Sequence, residues 1–137
     1  MGPAGRPVAH VLDVYMRFHG AILFVKDLPA MAAFYTGAIG LSEQSRTESW
    51  IEYDGLALHA IPPHIAAGID ISQLREDYPV KFVFEAADPE AEGARLAGAG
   101  VTVISRPWGG HDYADPEGNI FSIIAGAASA SDSNGRT

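Results

Sequence analysis

Lys81 and Glu85 stand four residues apart in Val80-Lys81-Phe82-Val83-Phe84-Glu85-Ala86. The alternation predicts a strand over Val80 to Ala86. Val80, Phe82, Phe84 and Ala86 share one side, and Lys81, Val83 and Glu85 share the other. Four residues of strand span ~13 Å, so the two charges do not pair directly. Both are too polar for a dry core without partners. Two readings follow: a wet sheet face, or the lining of a ligand-filled cleft. The apolar side must meet a helix, which favours the cleft. There, Glu85 is placed to act as a general base and Lys81 to stabilise an oxyanion. His59 is a second candidate base. It falls in a run where Leu56, Leu58 and Ala60 share one side and Ala57, His59 and Ile61 the other. A histidine in that place is either a satisfied core group or a cleft group.

Trp50, Trp108, His111 and Tyr113 fall on the expected outer strands. Aromatics at a cleft rim stack on flat ligands, and each of these has a polar handle. Sheet packing is the competing reading. His10 and His64 lie in terminal or irregular segments and carry no assigned role.

The elements that must position these groups follow from the apolar pattern. Gly20 to Val25 reads as a strand apolar on both faces, hence buried on both. Asp27 caps a helix with Pro29 in its first turn. Met31, Phe34, Tyr35 and Ala38 follow at helical spacing as a core stripe, and Gly40 closes the helix. Ser42 to Glu48 is a possible outer strand. Trp50 to Tyr53 is a second strand, Asp54-Gly55 a hairpin turn, and Leu56 to Ile61 a third strand. After Pro62-Pro63 an irregular connector runs to Pro79, with room for one helical turn at Leu74-Arg75-Glu76-Asp77. Beyond Val80 to Ala86, Asp88 caps a helix opening with Pro89. Ala91, Ala94, Arg95 and Leu96 supply its face, and Gly98 and Gly100 end it. Val101 to Ser105, Trp108 to Tyr113 and Ile120 to Ala125 read as three further strands. Asp115-Pro116-Glu117-Gly118 is a tight turn feeding the last of them, by itself an ordinary hairpin signal.

Strand, capped helix, glycine and three strands thus occur twice, with a repeat of about 60 residues from Asp27 to Asp88 and from Gly40 to Gly100. One such module cannot bury both faces of its sheet. Its helix covers the convex side, and the concave side must meet another module or close over a ligand. The expected organisation is an extension over 1–16, one domain over 17–125 and a disordered tail over 126–137. Within the domain, modules at 17–61 and 80–125 flank a linker at 62–79. Met1 and Met16 both fit as the true start.

At 137 residues the chain suits one domain or two small modules sharing a core. It carries 9 basic and 17 acidic side chains, a formal charge of −8, and no basic stripe, so nucleic acid is not expected. No apolar run reaches the roughly 20 residues of a membrane span, and no basic-then-apolar opening marks a secretory signal. The absence of cysteine removes disulfide and thiolate chemistry and makes a cytoplasmic location the expectation.

The pattern resembles the vicinal-oxygen-chelate superfamily, which includes glyoxalase I, bleomycin-resistance proteins and extradiol dioxygenases. The matching stretches are Phe24-Val25-Lys26-Asp27-Leu28, Ala33-Phe34-Tyr35-Thr36, Gly40-Leu41, Ala97-Gly98-Ala99-Gly100-Val101 and Asp115-Pro116-Glu117-Gly118-Asn119-Ile120-Phe121. The resemblance implies an α+β fold with two βαβββ modules forming a curved mixed sheet around a cleft. It implies a homodimer as well, with the cleft within one chain or shared by two. In metal-using members four strands each supply one ion ligand, usually His, Glu or Gln. Offsets from the shared motifs place these positions at Gly20, His59, Lys81 and Ser122. His19 is adjacent to the first, but one residue turns a side chain to the opposite face. One imidazole does not hold an ion that needs three or four ligands, and an ammonium repels it. No divalent metal or other cofactor is expected. The leading expectation is a metal-independent, bleomycin-resistance-type binder that sequesters an apolar or aromatic molecule with a polar or anionic group. Its site would comprise Ile22, Phe24, Trp50, His59, Lys81, Glu85, Trp108, His111, Tyr113 and Ser122. The alternatives are a metal-free lyase or isomerase with Glu85 or His59 as base, and a metal enzyme whose ligand register differs from this one.

Overall fold

Asp27 and Asp88 open the two helices of the repeat as the capping pattern requires. Each carboxylate accepts a hydrogen bond from the backbone N–H three residues on, Ala30 and Ala91, both at 3.1 Å. A proline follows in each first turn, where a missing N–H costs nothing. The computed structural model describes residues 16–68 and 80–126. The possible helical turn at Leu74 to Asp77, most of the extension and most of the tail lie outside them.

Chain order in the first module is β1 (Ala21–Val25), α1 (Leu28–Ala32), β2 (Ser45–Arg46), β3 (Trp50–Glu52) and β4 (Leu56–Ala60). A short helix α2 (Pro63–Ala66) follows. The second module is β5 (Lys81–Ala86), α3 (Pro89–Gly98), β6 (Thr102–Ser105), β7 (His111–Ala114) and β8 (Ile120–Ala125). The strands form two four-stranded sheets, ordered β1-β4-β3-β2 and β5-β8-β7-β6. First and last strands of each module run parallel, and the others antiparallel. This is the α+β arrangement of two βαβββ modules.

The first helix differs from its simple expectation. After Ala32 it widens into a π-helical stretch, Ala33–Ala38, closed by the Ile39 N–H on the Phe34 carbonyl at 2.9 Å. Phe34 and Tyr35 are consecutive, and both are buried there, edge to face at 5.1 Å. Gly40 then takes φ +90°, the left-handed closure that a side chain disfavours. Two further expectations are corrected. Val80 lies just outside β5 and is exposed, because the strand begins at Lys81. Trp108 sits in the turn between β6 and β7, where Gly109 and Gly110 both take positive φ, not on a strand.

The helix-facing sides of both modules share one core. Val25, Met31, Phe34, Tyr35 and Leu58 from the first cluster with Leu96, Tyr113 and Phe121 from the second. Phe34 meets Phe121 at 5.9 Å, and Tyr35 meets Phe84 at 6.3 Å. Thus the π-helical stretch after α1 covers part of the second sheet as well as its own.

The turn after β7 fastens the modules together. Asp115 Oδ1 accepts from the N–H groups of Glu117 and Asn119, both at 2.9 Å. Its Oδ2 accepts from Asn119 Nδ2 at 2.7 Å and from the Tyr35 hydroxyl at 2.6 Å. The Glu117 carboxylate reaches across to accept the N–H of Lys26 at 2.9 Å and of Asp27 at 2.8 Å. These two donors sit at the entry to α1, where a negative charge is also favoured by the helix dipole. A motif that reads as a common hairpin turn is therefore a clasp between modules, formed by buried polar groups with their partners in place.

Candidate functional site

Because each sheet turns one side to the shared core, its other side is open. Register decides who stands there. On the first sheet Ile22 pairs with Ala57, Phe24 with His59, Trp50 with His59, and Glu52 with Ala57. These residues share the open face. The His59 ring lies 5.4 Å from Phe24 and 5.5 Å from Trp50, so three rings form a row across three strands. The Trp50 indole N–H donates to Glu52 Oε1 at 3.3 Å. Beside this row a cavity of about 310 Å³ is lined by His19, Ile22, Trp50, Glu52, Tyr53 and Ala57, among others.

On the second sheet Val83 pairs with Ser122, and Glu85 with Ile124. With Lys81 they occupy the open face, apart from the core side of Phe82, Phe84 and Phe121. Lys81 Nζ forms an ion pair with Asp112 Oδ2 at 3.0 Å. Arg106 joins the same oxygen through Nε and Nη2, each at 2.8 Å. Burial of Asp112 opposes its ionisation, but the hydrogen bonds and charges of Lys81 and Arg106 outweigh that and hold its carboxyl below the usual range. The Arg106 guanidinium also lies 5.8 Å from the Trp108 ring centre. At the far end, Glu85 packs against Gly126, where a Cβ would run into the Glu85 side chain.

The two faces expose apolar surface that most soluble monomers would cover. Ile22, Phe24, Val83 and Ile124 are 50%, 49%, 54% and 47% exposed, so the first strand is not buried on both faces as its composition suggests.

Of the residues expected from sequence, Ile22, Phe24, Trp50 and His59 come together on one open face, and Lys81, Glu85 and Ser122 share the other. Tyr113 and His111 do not join them. Tyr113 is buried on the core side, stacked on Phe121 at 5.4 Å with its hydroxyl over Gly93. Residues two apart on a strand share a side, so His111 goes with it, its Nδ1 3.4 Å from Ser105 Oγ. Trp108 is exposed and meets the site through the Arg106 guanidinium. Asp112 and Arg106 are the residues that sequence reading missed. Alternation puts Asp112 on the side opposite Tyr113, and pairing with Phe121 makes that the open face.

The four positions implied for an ion do not fit one. A Cβ at Gly20 would stand 2.8 Å from the Gly55 carbonyl oxygen, so no ligand side chain can be placed there. Lys81 is cationic and held by Asp112, and Ser122 offers a neutral hydroxyl. Among the described residues no three His, Cys, Asp or Glu side chains group together as an ion site would require.

A glyoxalase-like domain family matches residues 21–124. The chain belongs to this family, within the vicinal-oxygen-chelate superfamily. Solved structures with the same fold include a protein of unknown function from Agrobacterium tumefaciens, 24% identical at a TM-score of 0.61 over 81% of this chain and 95% of that one. A glyoxalase-related enzyme from Fulvimarina pelagi is 22% identical at a TM-score of 0.55, over 80% of this chain and 88% of its own. TnmS3, an antibiotic-binding protein from a Streptomyces species, is 18% identical at 0.51, over 79% and 96%. At these identities the likeness is one of fold. No curated protein matches the chain in sequence. Among the described residues no helix is long and apolar enough to cross a membrane.

Proposed function

We propose that this protein binds a small molecule with apolar or aromatic bulk and a polar or anionic end, without a metal, and sequesters it. The observation that carries this is the row of Phe24, His59 and Trp50 beside a cavity, left open on a sheet face. Such a row is a stacking platform for a flat ligand. Lys81 on the second sheet supplies the complement for the polar end. A fold neighbour described as an antibiotic-binding protein supports binding as a use of this scaffold. Homodimerisation belongs to the same proposal. The core sides of both sheets are already joined within one chain, so the open faces point away from that core, and a second copy closes them into a cleft.

The competing reading is a metal-free enzyme with Glu85 or His59 as base. Against it, Glu85 stands ~13 Å along the strand from Lys81 and His59 lies in the other sheet, so within one chain neither base stands beside the oxyanion donor. A thermal-shift screen of aromatic compounds, followed by chemical analysis of each stabilising compound, separates the two. A ligand at a hundred times its dissociation constant adds about 2.7 kcal/mol to stability. The binder predicts stabilisation with the compound returned intact. Recovery of a changed compound, with turnover lost in Glu85→Gln or His59→Ala, replaces it with the enzyme.

A further inference from the structure

Two cations converge on one carboxylate oxygen at one end of the second sheet's open face. Lys81 Nζ, Arg106 Nε and Arg106 Nη2 all meet Asp112 Oδ2, at 3.0, 2.8 and 2.8 Å. A buried carboxylate needs one cation to balance it. Here there are two, so the cluster keeps a formal charge of +1 within a chain whose formal charge is −8. It also keeps donors in hand. The Lys81 ammonium has three N–H groups and one carboxylate partner, and the Arg106 Nη1 group is not used on Asp112. The side chains of Lys81 and Arg106 are 38% and 16% accessible, so a ligand can reach both. Asp112 fixes the two heads in place before any ligand arrives, which lowers the ordering cost of binding.

The face beyond the cluster completes the pattern. Val83 and Ile124 give an apolar floor, and Glu85 stands ~13 Å from Lys81 along the strand. A second acid on the ligand would meet Glu85 and be repelled.

The geometry points to a carboxylate receptor made by Lys81 and Arg106 and organised by Asp112. Its ligands are aromatic or apolar monocarboxylates whose body lies over Val83 and Ile124. This rests on the reading of the open faces as a ligand site, and it adds the chemical class of the ligand and a role for two residues.

Calorimetric titration with 2-naphthoate and with 2-naphthylmethanol, its neutral counterpart, tests it. The wild-type protein should bind the acid at least about tenfold more tightly than the alcohol, the scale of one charge-assisted hydrogen bond. Lys81→Met and Arg106→Met should each remove most of that preference, weakening the acid far more than the alcohol. Lys81→Arg should keep it, which a loss of folding would not allow, and melting curves of all variants identify any that unfold. Equal affinities in the wild type, or a preference that survives both Met substitutions, overturns the receptor and leaves the binding face standing. Failure of both probes to bind overturns the receptor and counts against the binding face too.

Discussion

Tyr35 shows how much one hydroxyl contributes to this fold. It is fully buried, and its 2.6 Å bond to Asp115 joins the first helix to the last turn. Tyr35→Phe removes the donor and leaves a buried carboxylate oxygen with Asn119 as its remaining side-chain partner. A loss of about 2 kcal/mol in urea unfolding is expected, the range for hydrogen bonds to charged groups. Asp112 gives a second residue-scale expectation. Its native carboxyl is held low, opposed by burial but secured by Lys81 and Arg106. A lowered native value means that its contribution is fully present above the ordinary aspartate value of about 3.9 and is lost as pH falls through the native one. Urea unfolding of wild type and Asp112→Asn from pH 7 to pH 2 checks this. The wild-type advantage should shrink only below about pH 4.

At the scale of elements, close approach fixes where the second helix sits. Gly93 of α3 faces the Tyr113 hydroxyl on β7 with no room for a Cβ. Gly93→Ala should destabilise by about 1–3 kcal/mol through overpacking, and adding Tyr113→Phe should recover part of the loss. Denaturant midpoints of the two variants decide it. Both helix caps, the Lys81-Val83-Glu85 face and the Ile22-Phe24 and His59 face were legible from sequence, because capping chemistry and strand period are local rules. The π-helical widening was not, since Met31, Phe34 and Tyr35 satisfy an ordinary helical stripe equally well. Nor was the side of His111 and Tyr113. The choice depends on register against Phe121, which is a pairing between distant residues. Likewise Asp115-Pro116-Glu117-Gly118 announced a turn, while the partners of Glu117 lie about 90 residues away at Lys26 and Asp27.

At the scale of the whole molecule, the modules meet through their core sides and leave two chemically distinct faces outward. One is a row of rings with Ile22 beside it, and the other runs from cationic through apolar to acidic. Faces with this much apolar exposure call for cover, and the proposed homodimer would supply it with closed symmetry. Sedimentation velocity should therefore give twice the monomer mass, and Phe24→Asp should shift it toward the monomer by placing a charge on the face. Metal-free binding on these faces is the proposed function. Affinity-selection mass spectrometry of the chelator-treated protein against a library of aromatic compounds addresses it most directly. Compounds retained and released unchanged, and lost in Phe24→Ala or Trp50→Ala, are the predicted result. Retention that depends on added divalent metal, or that persists unchanged in both variants, would overturn metal-free binding on these faces.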